Sequence, residues 1–298
     1  MEFGRLPSVD QVDFTLPPDS PENATVLAGP RDGRGILLGT AGWSDRGFVG
    51  ELYPAGTKSA DFLREYARVF PTNELNSTFY GASRERVERW AAAVPDDFRF
   101  CPKLPSEITH VRELRDVEEP METFLGVCGG LGPKVGLTWF ILPPGFGPAR
   151  LSELTDFLER WAPRARFAVE LRHPAWFSSA AARDEVFAAF AEHGVTTILT
   201  DVAGRRDVLH MRLTTPDVMI RFVGNEPHPS DFTRLDDWIA RLNGWLDRGL
   251  DTAYFFLHQK RDHRTIPMAR HFLEHAADRV SVELDATPAP APVQGELF

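Results

Sequence analysis

Cysteine is nearly absent: Cys101 and Cys128 are the only two in 298 residues, both lie in apolar segments, and they form no CxxC pair. That excludes a disulfide-stapled fold and a cysteine-based zinc framework, and leaves two buried thiols suited to a reducing compartment. A surplus of positive charge is also missing. Forty-three acidic residues against 33 basic ones give a formal charge of −10. Such a balance argues against nucleic acid or an anionic membrane as partner, since both demand a basic footprint; only a local basic cleft would be compatible with them. No stretch approaches the 18 or so apolar residues of a membrane span. The opening residues, MEFGRLPSVDQVDFTLPPDS, have no apolar centre and so do not read as a secretory signal. The cytoplasm is therefore the expected location.

What is present is an ordinary globular composition, 43% hydrophobic and 26% charged, on a chain long enough for one α/β barrel, which typically needs ~250 residues. Residues 1–34, rich in Pro, Asp and Gly, are expected to form a loosely ordered arm, 35–284 the barrel domain, and 285–298 a Pro/Ala-rich extended tail. Eight short β-rich runs, at 36–42, 72–76, 98–103, 135–142, 166–172, 196–201, 218–223 and 252–259, are mostly continuous in hydrophobicity, as strands covered on both faces should be. Their starts fall about 31 residues apart on average, the size of one β/α unit.

Helical stripes fill most of the gaps. Ser59 and Ser83 stand where helices carrying Phe62, Tyr66 and Val69, and Val87, Trp90 and Val94, would need N-caps. Further stripes run through Leu154, Phe157 and Leu158, through Val186, Phe187 and Phe190 up to Gly194, through Leu235 to Trp245 before Gly249, and through Met268 and Phe272. The weakest link is 202–217, between strands six and seven, where no convincing helical pattern appears and an irregular connection is expected. The fold class is thus α/β, a (β/α)8 TIM-type barrel. The alternative, a doubly wound sheet, lacks a GxGxxG after its first strand.

Polar residues gather where the strands end. Glu74 and Asn76 close strand two, Lys103 closes strand three, Glu170 and Arg172 with His173 close strand five, and Asp201 closes strand six. Arg221 lies in strand seven, and His258 with Gln259 closes strand eight. Side chains two apart on a strand share a face, so these groups converge if that face points inward. Buried ions cost several kcal/mol each unless paired, and sites in such barrels lie at this end. A salt-bridge network bracing the mouth would use the same residue types. Trp43, Phe79, Tyr80 and Trp176 follow strand ends, where aromatic rings serve either ligand stacking or helix packing.

The motifs GTAGWS (39–44), LYP (52–54), ELNSTFY (74–80), ITH (108–110), LGP (131–133), LPP (142–144) and AVELRHPAW (168–176) resemble the YecE-like family, known as domain of unknown function 72. The likeness runs from about residue 36 to about 275. It implies a β/α barrel and singles out Trp43, Glu74, Asn76, Tyr80, His110, Glu170, Arg172, His173 and Trp176, but it brings no established activity. The chain departs from the family pattern at Val223, where a histidine is common, and at His258 and Gln259, where an asparagine pair is common.

The expected function is an enzyme acting on a small polar or anionic substrate. Glu74, Lys103, Glu170 and Arg172 would supply acid–base chemistry and charge stabilisation. Trp43, Asn76, Tyr80, His110, His173, Trp176, Asp201, Arg221 and His258 would bind the substrate. The reaction class, whether hydrolase, lyase or isomerase, is open. A metal-dependent hydrolase or nuclease-like barrel is the alternative: His110, His173, Asp201, His258, Glu74 and Glu170 are ligand types for a divalent metal, though no HExxH or HxH spacing supports one. A third reading is a non-catalytic protein that binds a ligand or nucleic acid through Arg205, Arg206, Lys260, Arg261 and Arg264. Cofactor and oligomeric state are unassigned.

Overall fold

A computed structural model describes residues 4–29 and 33–280; the expected tail at 285–298 lies outside them. Eight parallel strands form one barrel: β1 Gly35–Thr40, β2 Thr72–Leu75, β3 Arg99–Pro102, β4 Thr138–Ile141, β5 Phe167–Glu170, β6 Thr196–Asp201, β7 Asp217–Val223 and β8 Thr252–His258. The hydrogen-bonded order β3-β2-β1-β8-β7-β6-β5-β4 leaves a seam between β3 and β4. Only the isolated pairings Phe100 with Val135 and Lys103 with Trp139 span it. The Trp139 indole reinforces it by donating Nε1–H to the Cys101 carbonyl at 3.0 Å.

The strands read as near-continuous apolar runs because both faces are covered: every residue of β2, β4, β5 and β6 is buried. One face fills the barrel with Leu37, Cys101, Leu137, Trp139, Ile141, Ala168, Ile198, Met219, Tyr254 and Phe256. The other packs on the helices. Helix Pro229–Arg248 and helix Ile266–His275 bury Trp238, Trp245, Met268 and Phe272 with β7, β8 and β1, while helices Glu118–Cys128, Leu151–Trp161 and Ala180–Glu192 share a second cluster with β4 and β5. Gly39 is required inside the barrel, since a Cβ there would stand 2.5 Å from the Thr72 carbonyl oxygen.

Ser83 caps helix Arg84–Ala92 by accepting from the Arg86 amide, and Gly249 ends helix Pro229–Arg248 in the left-handed region at φ 117°, both as the sequence suggests. Ser59 does not cap. It opens a 3-10 turn, Ser59–Asp61, and the α-helix begins only at Phe62. Helix Glu118–Cys128 has no counterpart in the sequence reading, because its stripe of Met121, Phe124 and Cys128 is short and preceded by Pro120.

The connection between β6 and β7 is irregular, a 3-10 turn at Ala203–Val208 followed by extended chain. Chain from the other end of the sequence covers this face. Segment 1–34, described from residue 4 to 29 and from 33, lies against the barrel in that first stretch. Asn23 bonds the Met211 carbonyl and the Leu213 amide at 2.7 and 2.8 Å. Leu27 joins the cluster that contains Leu209, Met211 and Leu213. Asp19 accepts from Arg241 and the Trp245 indole, and Gly4 accepts from the Gly204 amide. No helix among the described residues is long and apolar enough to cross a membrane.

Candidate functional site

Alternation along each strand builds the site. Cys101, Ala168, Met219 and Phe256 point into the barrel, so Lys103, Glu170, Arg221 and His258, each two residues on, face the same space one layer nearer the mouth. Strand two contributes Glu74 to that layer. Four of the five, Glu74, Lys103, Glu170 and Arg221, are charge-bearing types stacked on an apolar floor, and Arg221 links the two carboxylates. Its Nε donates to Glu74 Oε2 at 3.0 Å and its Nη1 to Glu170 Oε2 at 2.7 Å. Glu74, with no exposed surface, also accepts from Asn76 Nδ2 at 3.0 Å. His258 Nε2 lies 2.9 Å from Glu74 Oε2. A carboxylate only accepts, so the imidazole donates. Glu170 takes Arg172 Nε at 2.5 Å.

Burial alone would raise both carboxyls, but the neighbouring arginines and the His258 hydrogen bond outweigh it. Arg221 and His258 hold Glu74 well below the usual carboxylate range, and Arg172 and Arg221 hold Glu170 at about 2. A carboxylate whose folded value is depressed stabilises the fold fully above its unfolded value, and that contribution is lost as pH falls through the folded value. Melting temperature is therefore expected to fall progressively as pH drops from the ordinary 4.5 toward about 2. Thermal melts across that window check this, and a flat profile would contradict it.

Lys103 is different. Only 5% exposed, its ammonium lies 4.3 Å from the Phe79 ring centroid and 4.6 Å from that of Trp139. Among the described residues no carboxylate is within ion-pair distance of it. Burial first, and Arg221 next, lower it to about 8, while Glu74 and Glu170 act in the opposite sense. His110, on the wide turn Glu107–Val111, is edge-on to the same Phe79 ring at 5.4 Å. Burial and the charges of Lys103 and Arg172 lower it too.

Glu74, Asn76, Lys103, Glu170, Arg172, Arg221 and His258 thus meet, with His110 at their edge. The remaining candidates lie elsewhere. Asp201 turns away from the barrel axis: fully buried, it accepts from Arg206, from Arg234 Nη2 at 2.9 Å and from Trp238 Nε1 at 2.8 Å, while Thr200 beside it faces the mouth. Trp176 is fully buried and donates Nε1–H to the Phe146 carbonyl. Trp43 packs against Trp90 and Phe100 behind the strands. Tyr80 stands 84% exposed, and His173 accepts from the Ala175 amide in the loop after β5.

Sequence reasoning missed three residues, Trp139, Asp262 and Arg5, and left the role of Phe79 open between stacking and packing. Trp139 and Phe79 flank Lys103. Asp262, partly buried against Gly42, receives no side-chain hydrogen bond among the described residues, and burial pushes it to about 6 despite His258. Arg5 of the N-terminal segment, together with Leu6 to Asp10, walls a cavity of about 1150 Å³ whose other side includes Arg172, Thr200, Arg221 and His258. No local pattern marks these residues; tertiary packing alone brings them there.

The basic residues after β6 and β8 are largely neutralised, Arg205 by Asp207 at 2.9 Å, Arg206 by Asp201, and Lys260 by Glu226 at 3.7 Å. The metal-ligand types of the mouth are not gathered as a set. Among the described residues, the three-donor cluster is Asp236, His271 and His275.

Residues 37–293 match the family described as "Protein of unknown function DUF72". The chain is 32% identical over 255 residues to "UPF0759 protein YecE" of Escherichia coli K12, covering 79% of this chain and 92% of that one. It is 30% identical over 154 residues to "UPF0759 protein YunF" of Bacillus subtilis, covering 48% of this chain and 52% of that one. Among solved structures, a DUF72 family protein of Thermotoga maritima (TM1631) superposes with a TM-score of 0.64 at 25% identity, covering 80% of this chain and 98% of that one. One from Enterococcus faecalis (EF0366) gives 0.64 at 19% identity, with coverage of 81% and 95%, a likeness of fold alone.

Proposed function

Given that the chain belongs to the family of proteins of unknown function DUF72, a name that carries no reaction, we propose that its barrel mouth is the active site of an enzyme whose substrate is a small oxyanion, a carboxylate or phosphate compound. The observation that carries this reading is the buried, carboxylate-free Lys103. Glu74 and Glu170 are already matched by Arg221 and Arg172, so Lys103 leaves the layer one positive charge in excess. An anion near 4 Å from that charge gains about 4 kcal/mol at an effective dielectric of 20.

Arg172 and Lys103 hold the anion, with Arg5 adding a cation from the N-terminal segment. The expectation that Glu74 or Glu170 acts as base gives way to another assignment. Held so far below neutrality, they are poor bases, and their role is to fix Arg221. Proton transfer falls to Lys103 at about 8 and Asp262 at about 6, values on either side of neutral pH, where acid–base catalysis is most effective.

Calorimetric titration with phosphate, pyrophosphate and short carboxylates tests this. Binding is expected at pH 7 and about tenfold weaker at pH 9, because Lys103, at about 8, loses its charge between them. Affinity independent of pH across this range would overturn the assignment.

A further inference from the structure

Helix Pro229–Arg248 and helix Ile266–His275 lie side by side outside β8, and their outer surface carries a group unrelated to the mouth. His271 and His275 stand one turn apart on the second helix, on one face, and Asp236 faces them from the first. One ligand atom from each residue lies within 4.8 Å of the other two. The His271 and His275 rings are stacked with centroids 4.1 Å apart. His271 Nε2 is 2.7 Å from Asp236 Oδ1.

We infer that Asp236, His271 and His275 form a surface site for a divalent transition metal of the zinc class, which would tie the two helices together. Three features support it beyond proximity. The donor set, two imidazoles and one carboxylate, suits borderline ions and leaves a fourth tetrahedral position for water. His275 Nδ1 donates to the His271 carbonyl at 2.8 Å. That fixes the tautomer with its lone pair on Nε2, and a backbone carbonyl is a common partner for the non-ligating nitrogen of a metal-bound histidine. Phe232 sits edge-on to His271 at 5.3 Å, which restrains the ring before any ion arrives.

The metal would enter by replacing the Asp236–His271 hydrogen bond with two coordination bonds, since an N···O distance of 2.7 Å is shorter than the roughly 3.3 Å that two ligands subtend at a tetrahedral zinc with bonds near 2.0 Å. The Nε2 proton of His271 would leave to solvent or pass to Nδ1 as its lone pair turns to the ion. A small rotation of exposed side chains suffices. The ion would brace the outer side of β8 and the helix whose first turn carries Asp231, the acceptor for Asn225 and Gln259 beside the mouth. The inference is independent of the oxyanion reading.

The test is titration of untagged, chelator-treated protein with zinc chloride by calorimetry, with cobalt(II) absorption as reporter of coordination number. One equivalent is expected, with the intense visible bands of tetrahedral cobalt. His275→Ala and, separately, Asp236→Asn should each weaken binding at least tenfold, while His193→Ala leaves it unchanged. Circular dichroism of each variant confirms that the fold is retained, and these substitutions lie at or near the surface. No stoichiometric zinc in the parent protein, or zinc bound equally well by both ligand variants, would overturn the site.

Discussion

Replacing Arg221 by leucine is expected to lower the unfolding free energy by about 3–5 kcal/mol, at the upper end of what one substitution does. The reason is geometric. A single guanidinium serves both Glu74 and Glu170, so its removal leaves two buried carboxylates short of a partner at once. Urea unfolding measures the loss. The companion variant, Glu74→Gln with Arg221→Leu, removes one charge of each sign, leaves Glu170 paired with Arg172, and should recover part of the stability, because a neutral replacement of both members of a buried pair is often close to neutral. If the single substitution costs less than about 1 kcal/mol, the layer is not the tightly coupled unit described above.

Lys103→Met is expected to act in the opposite direction on stability and to abolish function. Burying an ammonium without a carboxylate costs the folded state free energy that methionine, of similar length, does not incur. A gain of about 1–3 kcal/mol is expected near neutral pH. The sign follows from linkage. Lys103 titrates at about 8 in the fold instead of 10.5, so the unfolded chain holds the proton more tightly. Parent stability therefore rises as pH climbs from about 8 toward 10.5, and the advantage of methionine shrinks over the same interval. Oxyanion affinity should fall at least about 100-fold, the scale of losing a buried charged partner, whereas Lys103→Arg should retain part of it. A variant that is less stable yet binds anions normally would remove Lys103 from the site. Stability sacrificed at one position for binding is a usual signature of function.

Much of the architecture was legible because doubly covered strands leave continuous apolar runs. Residues 196–201 and 72–75 match their predicted positions closely. Strand β4 begins at Thr138 and not 135, since Val135 and Gly136 are spent on the seam with Phe100. The same continuity of hydrophobicity hid which face is inward. Asp201 and Arg221 look alike as polar strand residues, yet Arg221 follows Met219 into the barrel and Asp201 faces the helix layer, held by Arg234 and Trp238. Polarity at a strand end thus locates the rim, while parity against an interior residue decides membership of the site. Trp43 and Trp176 were indistinguishable from ligand platforms in sequence because helix packing uses the same rings at the same positions.

The asparagine at position 23 finds its partners 188 and 190 residues later, which has a consequence for how the polypeptide assembles. The stretch around Asn23 has nothing to dock on here until the chain beyond strand six exists, so it waits as the rest of the barrel is laid down. Its docking is a late, long-range closure, the kind of contact that forms slowly and carries a large loop entropy. The apolar face around Leu209, Met211 and Leu213 gains the cover of Leu27 only when that closure is made.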